Sequence, residues 1–281
     1  MFPSHQYIAL EGPVKQIAVY DTGDAGKPVL FFIHGLTING CVWKNAFELL
    51  QEKFRCIAID LPGHGHSWNE RGDFSMSFYA QVVRNCIETM KLRDVTLIGH
   101  SMGGQISVIV ALQLPSLVTK LVLVCAAGIE TFTEEEKQKN AQGASLFYGV
   151  KYEAQKVISL FNAQLGTEQM NELVQEFITQ QAERFTLFSE AMVASVNGML
   201  NEPIYSFLPQ LSQPVLVLYG ENDQLIPNRW LHPAMTIRDI AAAAKKQIPR
   251  CETKLIGNCG HYLPVEQPEA LAESLIRFSE N

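Results

Sequence analysis

Short apolar, β-branched runs separated by helical stretches constrain this chain more than any other feature. The runs are Ile17–Tyr20, Val29–Ile33, Cys56–Ile59, Val95–Ile98, Leu121–Cys125, Val215–Tyr219 and Thr253–Ile256, and several are apolar at every position. A strand with no polar face is buried on both sides, as happens inside a parallel sheet covered by helices. Ile8–Leu10 adds a candidate antiparallel edge strand. The expected fold class is therefore α/β, a mostly parallel eight-stranded sheet flanked by helices.

The alternation stops between Cys125 and Val215, where residues from about 129 to 207 read as helix only. That predicts a helical cap, 129–207, inserted into a core domain formed by 1–128 and 208–281. Within it Phe185, Phe188, Met192, Val196 and Met199 fall on one helical face. Such a stripe packs a core or faces the crevice above the sheet.

The formal net charge of −7 excludes the basic stripe that nucleic-acid binding requires. No apolar run approaches the ~18 residues needed to cross a bilayer, and the N-terminus lacks the pattern of a signal peptide. Cys41, Cys56, Cys86, Cys125, Cys251 and Cys259 form no CxxC pair. Reduced thiols and a cytoplasmic protein are expected, with only a Cys251–Cys259 disulfide left open. The expected partner is a small ester-type molecule, bound by a monomer or homodimer.

Chemistry concentrates where a strand meets a helix. Gly99-His100-Ser101-Met102-Gly103 follows Val95–Ile98 and precedes a helical run, Gly104–Leu114, closed by Pro115. A serine on such a strand–turn–helix elbow is pushed out of the sheet plane, at a helix N-terminus whose N–H groups suit a developing oxyanion. The plain alternative is a tight βα turn whose serine caps the helix. Serine also needs a base, and the base an orienting acid. Asp223 lies beyond Val215–Leu218, and His261 lies in the loop after Thr253–Ile256. Alone, Asp223 reads as a turn residue and His261 as a surface or capping histidine. Together with Ser101 they lie past strand carboxyl ends, in the order Ser, Asp, His. Glu130 is the near alternative acid. The backbone N–H groups of Leu36, after Gly35, and of Met102 are the expected oxyanion donors. His34 and His100 read as structural. Trp43, Phe147 and Phe188 are candidate substrate contacts.

The segments HGLTINGCVW (34–43), DLPGHGHS (60–67), GHSMGG (99–104), YGENDQLIP (219–227) and GNCGHYLPVEQPE (257–269) resemble the motif set of the α/β-hydrolase superfamily. Within it they resemble the cap-bearing branch of small esterases, meta-cleavage-product hydrolases, cofactor-free haloperoxidases and dehalogenase relatives. The resemblance implies a structural turn at Asp60–Ser67, with neither His64 nor His66 catalytic. Ser101 stands where dehalogenases and epoxide hydrolases carry an aspartate, which disfavours both activities. About 38 residues separate Asp223 from His261, more than relatives usually show, and the extra stretch is placed around residues 228–246.

The expected function is hydrolysis of a small to medium, fairly apolar carboxylic ester or thioester through an acyl-enzyme, with no metal or organic cofactor. The alternatives are C–C bond hydrolysis or perhydrolysis with the same triad, or a hydrolase-fold receptor with little turnover. C–C hydrolysis of an acidic substrate calls for an Arg or Asn near Ser101, and the sequence offers no obvious candidate.

Overall fold

The computed structural model describes residues 2–148 and 186–280, with residues 146–148 described in backbone only. Eight strands form one sheet: β1 (Gln6–Ala9), β2 (Gln16–Asp21), β3 (Val29–Ile33), β4 (Arg55–Ile59), β5 (Val95–His100), β6 (Val118–Val124), β7 (Val215–Gly220) and β8 (Cys251–Ile256). Their order is β1-β2-β4-β3-β5-β6-β7-β8. β1 pairs antiparallel with β2 and β2 antiparallel with β4, while every other pairing is parallel. All six residues of β5 and of β7 are buried, which explains why those runs carry no polar face.

From β3 the chain runs outward to β4, then returns to pair β5 on the other side of β3. Strand order reverses there, so the loops leaving β3 and β5 diverge and open a crevice at the carboxyl edge of the sheet. Helices α1 (Lys44–Leu50), α2 (Met76–Thr89) and α3 (Met102–Gln113) belong to this half. α3 is rich in Val and Ile and has nine of its twelve residues buried. Its helicity therefore rests on packing between the sheet and α2 rather than on propensity.

Between β6 and β7 the described residues contain no strand; they form α4 (Glu134–Tyr148) and a helix over 186–201. Phe185, the first residue of the apolar stripe, lies outside the described residues. The rest of the stripe divides: Phe188 and Met192 join the main core, and Val196 packs with Ala144 and Leu200 in a smaller cluster. The end of the 186–201 helix is tied from two sides. Gln105 Nε2 of α3 donates to the carbonyls of Met199 and Glu202, at 3.0 and 2.7 Å. The Glu202 carboxylate in turn accepts from the N–H groups of Met76 and Ser77, capping α2.

The stretch 228–246 is only partly an insertion. Its second half belongs to the helix Ile237–Gln247, started by a Thr236–Asp239 capping box, which is the crossover that parallel β7 and β8 require. All six cysteines are free, so Cys251 and Cys259 are not bridged. No helix among the described residues is long and apolar enough to cross a membrane.

Candidate active site

Ser101 stands between the last residue of β5 and the first of α3, at φ 52° and ψ −117°. Non-glycine residues avoid that region, and holding one there costs on the order of 1–3 kcal/mol. The surrounding backbone enforces it. Ser101 N–H donates to Val124 O of β6 at 2.9 Å, and Ala127 N–H donates to Ser101 O at 3.0 Å. Gly103 is required because a Cβ there would lie 2.4 Å from Ile33 O. Gly35 matters for close approach too, since its Cβ would sit 2.9 Å from His100 Nδ1 and 3.0 Å from Ser101 Cβ.

Asp223 and His261 meet across the ends of β7 and β8. His261 Nδ1 lies 2.9 Å from Asp223 Oδ2, and both side chains are buried. The other Asp223 oxygen accepts from the N–H groups of Leu225 and Ile226 at 2.8 and 2.9 Å. The carboxylate is thus held in position, and with Nδ1 of the imidazole donating to it, Nε2 faces away from the pair. Ser101 and His261 line the same cavity, with no hydrogen bond between them in this conformation.

The His261 loop is clamped by Glu266, which carries no signal in the sequence, and by His100, structural as expected. Glu266 accepts from the N–H groups of Gly260 and Tyr262, at 2.7 and 2.9 Å, on either side of the histidine. His100 Nε2 donates to His261 O at 2.8 Å. Burial, above all, pushes the His100 ring down to about 3, so it stays neutral and Nε2 carries the proton. His34 is structural as expected: Nε2 accepts from Leu61 N–H at 2.9 Å, and Nδ1 lies 2.7 Å from Gly35 O. The N–H groups of Leu36 and Met102 have no partner in the described protein, and Met102 opens α3, where the first N–H groups lack intrahelical acceptors.

The cavity encloses about 520 Å³. Its lining mixes apolar side chains, Leu36, Val196, Met199, Leu200, Leu225 and Ile226, with polar ones, Glu130, Thr131, Lys137, Asn140 and Asn228. Two expected substrate contacts lie elsewhere. Trp43 is fully buried in the core against Phe32, and Phe188 packs in the same core. An aromatic ring's sequence position does not say which way it points, and both rings point into the sheet's core. The side chain of Phe147 lies outside the described residues.

Glu130 serves a different histidine. It bonds His232 Nδ1 and accepts from Asn228 N–H with both carboxylate oxygens. His232 Nε2 reaches Glu136 of α4 at 3.2 Å, and its ring stacks on Phe132. The loop 228–235 thus fastens the start of α4 to the sheet. Cys125 is the third member of a buried cluster with Asp223 and His261, their candidate ligand atoms within 4.8 Å of one another. Burial holds its thiol well above the ordinary range, and the other two bond each other, so the trio is a poor metal donor set.

A serine on a strained elbow, a buried Asp–His pair and a cavity shared by the serine and the histidine at the sheet's switch point make this the candidate site of an α/β protein. Residues 28–268 match the α/β hydrolase fold family, and the chain belongs to it. Human monoacylglycerol lipase ABHD6 is 23% identical over 266 residues, covering 90% of this chain and 75% of that protein. The uncharacterized hydrolase YugF of Bacillus subtilis is 26% identical over 259 residues, covering 90% of each chain. Among solved structures, a thermophilic esterase from Thermogutta terrifontis superposes with a TM-score of 0.79 at 23% identity, over 99% of this chain and 98% of that one. The esterase EaEST from Exiguobacterium antarcticum gives 0.80 at 22% identity, over 98% and 99%.

Proposed function

We infer that this hydrolase is a serine esterase acting on small to medium, fairly apolar carboxylic esters or thioesters. One observation carries the reading: His261, bonded to the buried Asp223, and the strained Ser101 open on one cavity. In this mechanism Ser101 Oγ attacks the carbonyl carbon as His261 Nε2 takes its proton. Nε2 then returns that proton to the leaving alcohol or thiol, and a water activated by the same nitrogen releases the acid. Asp223 holds the imidazole tautomer and stabilises the imidazolium. The unpartnered N–H groups of Leu36 and Met102 are assigned to the oxyanion. The segment 129–207 acts as the cap, its described part supplying the cavity's outer wall. The lipase and esterase names among the relatives are consistent with ester chemistry. A fluorophosphonate probe should label the wild-type chain and fail on Ser101→Ala; equal labelling of both would end the reading.

A further inference from the structure

An acyl chain accounts for the apolar residues of the cavity but leaves the polar side chains from α4 without a purpose. α4 turns one face inward there, where Lys137, Asn140 and Ala144 follow at helical spacing. The Lys137 side chain is only 19% exposed, and its ammonium pairs at 2.6 Å with Glu134, which is 81% exposed. A pair whose carboxylate lies in solvent contributes little, so the ammonium changes partner at little cost. The neighbouring acids are engaged elsewhere. Glu130 is held by Asn228 N–H and His232, and Glu136 accepts from Thr133 and His232.

Resting on the esterase reading above, we propose that the cavity takes an ester whose acyl chain ends in a carboxylate, and that Lys137, beside the Asn140 amide, selects it. The chain runs from Ser101 along Val196 and Met199 to α4. There a compact ammonium with three donors and a neutral amide donor meet the charged end. Folding brings to the cavity the cation and the asparagine that an acidic substrate needs, both from a helix that the sequence does not connect with Ser101.

The test is the ratio of kcat/KM for p-nitrophenyl hydrogen adipate to that for p-nitrophenyl hexanoate, measured on the full chain. Lys137→Met should lower this ratio about tenfold, through KM for the charged ester. Lys137→Arg should keep it within about threefold. Glu134→Gln removes the competing carboxylate and should raise it, and added salt should erode it. An unchanged ratio in Lys137→Met, or a lower one in Glu134→Gln, overturns the proposal. A chain that hydrolyses neither ester and takes up no fluorophosphonate fails earlier, overturning the esterase reading and this inference together.

Discussion

The floor and the roof of the cavity are held by different forces. On the floor, Ser101, Asp223 and His261 hang from buried strands, and backbone groups fix them: Val124 O on Ser101, the Leu225 and Ile226 N–H groups on Asp223. The roof, α4 and the 186–201 helix, packs Phe188 and Met192 into the core and is otherwise attached by side chains reaching across: Gln105 and Glu202 at one end, His232 at the other. Opening the floor means breaking the central sheet, at a cost near that of global unfolding. The roof's ties can open singly. On the mechanism proposed above, groups that need fixed geometry for chemistry sit on the first, and groups meeting the rest of the substrate sit on the second.

Asp223→Asn should show the largest effect, a fall in kcat of about 10⁴-fold with little loss of stability, because it leaves the fold but upsets the imidazole tautomer. Steady-state kinetics beside a thermal melt would check it; a mild fall would mean the floor is not the reacting side. Gly103→Ala comes next, destabilising by about 3 kcal/mol because its Cβ overlaps backbone that cannot yield. A denaturant titration reads this, and a neutral result would show the floor to be as compliant as the roof. Glu266→Gln leaves one of two N–H groups without an acceptor. It should cost about 2 kcal/mol, visible as a lower kcat with KM nearly unchanged.

The smallest effect belongs to the roof. Burial opposes charge on His232, but the Glu130 and Glu136 carboxylates outweigh it and hold the ring above its ordinary value of 6.5. A raised value means the tie contributes fully below about pH 6.5 and is lost as pH rises through the folded-state value. Protection factors along α4, taken after dividing out the intrinsic base catalysis of amide exchange, should therefore fall toward alkaline pH, an effect under about 1 kcal/mol. His232→Gln should remove this fall in protection while leaving the floor's protection unaltered. Floor amides that lose protection together with α4 would show that the two regions open as one.

The floor was legible in the sequence; of the roof, the helices and one apolar stripe were legible and the face of α4 toward the cavity was not. Parallel strands buried on both faces announce themselves as apolar runs, and Ser101, Asp223 and His261 follow them in short local patterns. Boundaries shifted by a few residues: β6 begins at Val118 and ends at Val124, leaving Cys125 outside the strand with a positive φ. Trp43 and Phe188 were misplaced because chain position gives a ring's neighbourhood and not its direction. α4, with its run Glu134, Glu135 and Glu136 and then Lys137, has a mostly polar surface, so no periodic stripe marks the face that meets the cavity.

By itself the sequence determined the sheet, the elbow and the order of the three reactive side chains, because each depends on burial pattern or on contacts within a few residues. Only the tertiary structure decided what surrounds them. The Glu130–His232 contact spans 102 residues and Gln105 reaches carbonyls 94 and 97 residues away. Likewise, Lys137 and Asn140 share a cavity with Ser101 only in the folded chain. Such contacts bring together polar groups from distant segments, and nothing in a polar residue's local pattern says which distant group will satisfy it.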